Sequence, residues 1–210
     1  MKKALLSLIL SFFLSLTIME PFLVFADNEP IEGFDYTNYY ELSHVRFSGS
    51  QVLNTGISFA NYSNYSLIMD VSMESSYSDS YNGIFYGNTT DATKFQCWIN
   101  KHENTLNMRV GSNKFYSKNI SNFTGTITLS RSNGVVTFSY GQGQNIQSAT
   151  ENFSSLYNNY LRIGTSGNDP YFYGSVFRIE VSYGSDGHAL FIPAKRISDN
   201  KVGFYNVDDV

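Results

Sequence analysis

Few residues in this chain are of a type that does chemistry, and their spacing argues against catalysis. Asp70 and Glu74 lie four apart in an alternating segment, so they share one face of an extended strand. A retaining glycosidase needs two carboxyl groups about 5 Å apart across the scissile bond. This pair sits on the polar phase, where two solvated acids are the ordinary outcome. His44, His102 and His188 are scattered at no chelating spacing, so zinc is unsupported. No G-x-S-x-G elbow occurs, and Gly184-Ser185-Asp186-Gly187 ahead of His188 has the composition of a turn. Gly141-Gln142-Gly143 lacks the rest of any phosphate-binding pattern. No catalytic residue is assigned.

Binding fits the composition better. Aromatic residues make up 16% of the chain, with 16 Tyr, 17 Phe and a single Trp. Tyrosine offers a flat apolar face with a polar edge, suited to stacking on sugar rings or to a protein interface. Tyr62, Tyr65, Tyr77, Tyr81, Tyr157, Tyr160, Tyr171 and Tyr173 fall in segments expected to be loops. Trp98 shares the polar phase of its segment with Lys94 and Gln96. The candidate ligand-binding residues are therefore Trp98, Gln96, Tyr81, Tyr171 and Tyr173. For Trp98 the alternative is that a loop, or residues 27–43, covers it.

The elements that would position these residues are strands. Leu67, Met69, Val71 and Met73 alternate with Ser66, Ile68, Asp70, Ser72 and Glu74. The same period of two recurs at Phe95-Cys97-Ile99, Leu106-Met108-Val110, Ile127-Leu129, Val136-Phe138-Tyr140 and Phe177-Ile179-Val181-Tyr183. Shorter strands are expected at 45–47, 51–57, 84–86, 161–164, 190–193 and 202–205. Ser132-Asn133-Gly134 reads as a primed-turn hairpin, and Ser166-Gly167-Asn168 as another turn. No sustained helical period follows Ala26. About a dozen one-faced strands imply an all-β fold of two antiparallel sheets packed face to face.

The order of these segments resembles bacterial laminin-G-like, concanavalin-A-like jelly-roll domains. His44-Val45-Arg46-Phe47-Ser48-Gly49-Ser50-Gln51-Val52-Leu53-Asn54-Thr55-Gly56-Ile57 resembles the family's opening segment. Phe95-Gln96-Cys97-Trp98-Ile99-Asn100 resembles a later strand, and Tyr173-Gly174-Ser175-Val176-Phe177-Arg178-Ile179 follows Leu161-Arg162-Ile163-Gly164 as in the family. Leu190-Phe191-Ile192-Pro193-Ala194-Lys195-Arg196, with Gly203-Phe204-Tyr205-Asn206, resembles the closing motif. The resemblance spans roughly residues 44–207 and implies a jelly-roll sandwich, found in secreted bacterial proteins and in phage tail proteins. Family chains usually continue with another strand, so the domain 44–210 is expected to stop short of a final one. Laminarinase-type relatives carry E-x-D-x-x-E on one strand. Here Ile68 stands in place of the first glutamate and the Asp70-to-Glu74 gap is one residue too long, which leaves a glycoside hydrolase the weakest reading. Such sandwiches often bind calcium at a loop rim through Asp and Asn oxygens. Asn168 and Asp169 are the candidates, although no spacing specifies a site and no cofactor is required.

The N-terminus points outside the cell. Lys2 and Lys3 precede an apolar run from Ala4 to Met19, then Glu20-Pro21 and Val24-Phe25-Ala26. That is the layout of a secretory signal peptide over residues 1–26, too short for a membrane span. Residues 27–43, acidic and tyrosine-rich, read as a leader into the first strand. The formal net charge of −4, without a basic cluster, argues against nucleic acid as a partner. Cys97, the only cysteine, is in phase with core residues and is expected as a buried free thiol. The six Asn-x-Ser/Thr triplets from Asn61 to Asn152 follow from a chain rich in those residues, with the bias of an AT-rich bacterium. The expectation is a secreted, non-catalytic module that recognises extracellular carbohydrate. The alternative is a cell-surface or phage-tail-like domain whose partner is a surface protein. No membrane insertion is expected after signal cleavage.

Overall fold

The computed structural model describes residues 30–49, 51–58, 62–73, 81–86, 95–110, 113–117, 123–141, 147–150, 161–164 and 172–208. These form two antiparallel sheets and no helix. In chain order the strands are β1 (Tyr39–Glu41), β2 (Val45–Ser48), β3 (Val52–Asn54), β4 (Tyr65–Met73) and β5 (Tyr81–Tyr86). Then come β6 (Phe95–Asn100), β7 (Thr105–Val110), β8 (Asn113–Ser117), β9 (Thr124–Ser132) and β10 (Val135–Tyr140). The last five are β11 (Gln147–Thr150), β12 (Arg162–Gly164), β13 (Tyr173–Tyr183), β14 (Gly187–Arg196) and β15 (Val202–Asn206).

The larger sheet runs β1-β14-β13-β4-β9-β10-β11, with β15 also on β14 and β2 also on β13. The smaller runs β3-β12-β5-β6-β7-β8. Strict alternation builds β4, whose Leu67, Met69 and Val71 are buried while Ser66, Ile68, Asp70 and Ser72 face the other way. From the larger sheet Leu67, Met69, Ile127, Leu129, Phe138, Ile179 and Val181 enter the core. From the smaller sheet Ile84, Cys97, Ile99, Leu106, Met108, Phe115 and Ile163 meet them in one continuous cluster. The fold is an all-β jelly-roll-like sandwich, as the alternation implies.

Local chemistry sets the connections. β9 and β10 are joined by Asn133 and Gly134 alone, at φ 51° and 75°, the left-handed pair that a type I′ turn requires. Gly184-Ser185-Asp186 links β13 to β14 as the turn expected from its composition. Cys97 is a buried free thiol, and burial pushes its pKa well above the ordinary value.

Three placements differ from the sequence expectation. Alternation puts Phe177 on the inward phase of its strand, but a β-bulge between Val176 and Arg178 shifts the register there. Val176 takes the core position, and Phe177 turns outward to pack beside His44. Tyr65, Tyr81 and Tyr173 are not loop residues: they open β4, β5 and β13, and Tyr65 is buried. Residues of the 27–43 leader also contribute β1, which pairs with the far end of β14. Phe34 and Tyr39 join Leu190, Ile192, Ala194 and Val207 in a second apolar cluster. These β14 residues alternate with the core-facing Ala189 and Phe191, so the described leader residues cover the outer face of the larger sheet at β14.

Candidate functional site

The outer face of the smaller sheet follows directly from the alternation that fills the core. Because Cys97, Ile99, Leu106 and Met108 point inward, Gln96, Trp98 and Asn100 on β6 must point outward beside Thr105, Asn107 and Arg109 on β7. Strand register arranges this face in rows. One row runs Asn54–Arg162–Tyr86–Gln96–Arg109–Lys114 across all six strands, in backbone register. The next runs Gly83–Trp98–Asn107–Tyr116. The third pairs Tyr81, Asn100 and Thr105.

Trp98 is half-buried, and the Lys114 ammonium stands 5.7 Å from its ring centroid, a cation–π contact. Tyr116 is 50% exposed, whereas Asn107, between Trp98 and Tyr116, is only 1% exposed. The short Asn107 amide is thus buried between the partly exposed Trp98 and the exposed Tyr116 in its row. Its Nδ2 donates to the Thr105 carbonyl at 3.1 Å and to the Thr105 hydroxyl at 2.8 Å. The carbonyl partner is acceptor-only, so the amide orientation is determined by chemistry. Asn107 Oδ1 is buried and has no hydrogen-bond partner among the described residues. Gln96, also buried, is its neighbour in the adjoining row.

Of the sequence candidates, Trp98 and Gln96 come together on this face, and the backbone of Tyr81 pairs with Asn100 at its end. Tyr173 does not join them. It pairs with Ser48 on the outer face of the larger sheet, where its ring lies over Gly49. Tyr171, Asn168 and Asp169 lie outside the described residues, as does Glu74. Asp70 accepts a hydrogen bond from the Thr126 hydroxyl at 2.6 Å. The described residues bring together no group of three or more His, Cys, Asp or Glu side chains suited to a metal, and the calcium expectation rests with Asn168 and Asp169. The described leader residues pack on β14 and so lie away from Trp98.

The site also contains residues that the sequence reading did not single out. Asn107 and Arg109 were visible only as members of a polar phase. Lys114 and Tyr116 belong to β8, a strand not expected because Phe115 is its one buried apolar residue.

A two-sheet jelly-roll-like sandwich with a polar, aromatic-bearing outer face is the class that fold and site define. Among solved structures the chain is similar to the Ruminococcus gnavus IT-sialidase CBM40, a carbohydrate-binding module, with a TM-score of 0.50 and 13% identity. The match covers 70% of this chain and 94% of that one. The same module bound to alpha2,6 sialyllactose matches with a TM-score of 0.49 and 14% identity, again over 70% of this chain and 94% of that one. The likeness is one of fold. No protein-family model and no curated protein matches the sequence.

Proposed function

We propose that this chain is a secreted, non-catalytic carbohydrate-binding module whose ligand lies on the outer face of the smaller sheet, centred on Trp98. The observation that carries this reading is the pairing of Trp98, at half burial, with the buried and unpartnered Oδ1 of Asn107 beside it. Sugar rings present apolar C–H faces for stacking and hydroxyl donors for acceptors. A buried carbonyl without a donor costs about 1–3 kcal/mol in the free protein, and a sugar hydroxyl would satisfy it. The exposed Lys114 and Tyr116 side chains are the groups a ligand would displace to reach it. Fold alone does not assign a function, but the sandwich shared with a carbohydrate-binding module agrees with this reading.

The test is a glycan array and affinity electrophoresis in polysaccharide gels, with and without calcium, on the purified chain and on Trp98→Ala. Retention on at least one glycan, lost in the variant, is expected. A blank screen, or retention indifferent to Trp98, would refute the reading. A second reading, a surface domain that binds another protein, is favoured by the edge where β1 and β15 flank β14. There Tyr40 and Val202 are exposed beside a hollow of about 250 Å³ lined by Tyr39, Arg196 and Phe204. It predicts association with a bacterial surface protein that free sugars do not compete.

A further inference from the structure

The hydrogen-bonding groups around Trp98 are one-sided, and that narrows the ligand. Asn107 stands directly opposite Trp98 in the β6–β7 register, which sets their Cβ atoms about 5 Å apart. A primary amide has two N–H donors and one carbonyl acceptor. Thr105 supplies two acceptors for those donors, its carbonyl at 3.1 Å and its hydroxyl at 2.8 Å. Asn107 therefore presents Oδ1 alone, buried and without a partner among the described residues. A ligand group that meets it must be a donor. The Lys114 ammonium has the opposite character. It is donor-only, belongs to an exposed side chain and stands 5.7 Å from the indole centroid.

A group that satisfies this site brings a donor, an acceptor and an apolar surface for the indole. The common substituents of sugars divide on that requirement. A carboxylate or sulfate brings acceptors only and leaves Oδ1 unpaired, which is costly at a buried atom. An ammonium brings donors only, and meets Lys114 and its cross-strand neighbour Arg109 with like charge. A hydroxyl brings a donor and an acceptor but no surface. An acetamido group brings all three. Its N–H and its carbonyl point to opposite sides of one plane, and the methyl extends that plane over an aromatic ring.

Resting on the carbohydrate reading above, we propose that the Trp98 site selects an N-acetylated amino sugar. The acetamido N–H donates to Asn107 Oδ1, its carbonyl accepts from Lys114 Nζ, and its methyl lies on the Trp98 ring. Lys114 moves off the ring as the sugar arrives, exchanging its cation–π contact for a hydrogen bond. Thr105 is a positioning residue: by engaging Nδ2 it keeps Oδ1 as the amide's free group.

The experiment measures binding of the purified chain to cellotetraose, the tetramer of glucosamine and chitotetraose. These share one backbone and differ only in carrying a hydroxyl, an ammonium or an acetamido group at the second carbon. Galactose and N-acetylgalactosamine on a polymer carrier form a second pair, and a glycan array supplies others. In at least one pair the acetamido sugar should bind about tenfold tighter than its hydroxyl counterpart, the equivalent of one good polar contact. The glucosamine tetramer should bind no better than cellotetraose. Asn107→Val and Lys114→Met should each cut the acetamido preference about fivefold while leaving the hydroxyl sugar bound as before. Lys114 is exposed, so its variant reads the contact even where a buried substitution destabilises the fold. Thr105→Val should narrow the preference, Thr105→Ser should restore it, and Lys201→Gln, beside β15, should leave it unchanged. Hydroxyl and acetamido sugars bound equally, with Trp98 still required, would overturn this inference and leave the carbohydrate reading standing. So would array hits confined to sugars without an acetamido group, or a preference that survives both Asn107→Val and Lys114→Met. Binding to none of the probes, together with a blank array, would overturn both.

Discussion

Replacing Asn107 with valine separates a binding group from a structural one. Asn107 Nδ2 makes two hydrogen bonds to Thr105, each worth about 1 kcal/mol net. Its Oδ1 is buried without a partner, a penalty of about 1–3 kcal/mol that valine removes. Valine also suits a strand flanked on both sides, where β-propensity spans about 1 kcal/mol. The gains and losses nearly cancel, so Asn107→Val should leave unfolding stability within about 1 kcal/mol of the parent. A buried amide with every group satisfied would instead cost about 2 kcal/mol or more when replaced. Urea denaturation followed by fluorescence measures this directly, because Trp98 is the only tryptophan and lies beside the substitution. The slope with denaturant should be unchanged, since the surface exposed on unfolding is the same. Glycan affinity should fall about fivefold, the loss of one neutral hydrogen bond. Destabilisation beyond about 2 kcal/mol, or unchanged affinity, would refute the assignment of Oδ1 as a ligand acceptor.

Two further outcomes test the frame that holds the site. Gly164 has φ 88°, and a Cβ added there would stand 2.2 Å from the Gln51 carbonyl oxygen. Gly164→Ala should therefore destabilise by at least about 3 kcal/mol, the sum of left-handed strain and a backbone clash, and a variant melting near the parent would show that β12 does not approach that segment so closely. The Cys97 thiol, buried and held far above its ordinary pKa, should resist a thiol reagent in the native chain and react only on unfolding. Its raised pKa favours the native state fully below the unfolded value, near 8.5, and that contribution is lost as pH rises above it. Rapid labelling at neutral pH under native conditions would contradict the burial.

The strands that carry the core were legible because each repeats apolar residues at a period of two over several positions. β4, β6, β7, β9 and β10 all fall within one or two residues of the expected spans. The strands that were missed lack that signal. β1 exposes Tyr40, and β8 buries only Phe115 at its centre, so both depend on backbone pairing to a longer neighbour. Phe177 shows the other limit. Alternation is blind to a bulge, since one extra residue reverses every side chain beyond it while the apolar spacing looks intact.

The same reasoning explains why only part of the site could be read. Trp98 stood out as a large aromatic on a polar phase. Asn107 did not, because nothing in its sequence neighbourhood marks it as buried, and the strands that set Trp98 and Tyr116 on either side of it are paired only in the fold. A polar phase in an edge sheet is normally solvated and carries no information. Here it forms a floor, and Gln96, Asn100, Thr105 and Asn107 are all buried on it. Four buried polar residues weaken a sandwich unless their hydrogen-bonding capacity is used, and Asn107 Oδ1 is left unused in the free chain. That surplus acceptor, beside an aromatic ring already held under a cation, is what distinguishes this face from the outer face of the larger sheet. There Asp70, Glu180 and His188 all have partners among their neighbours.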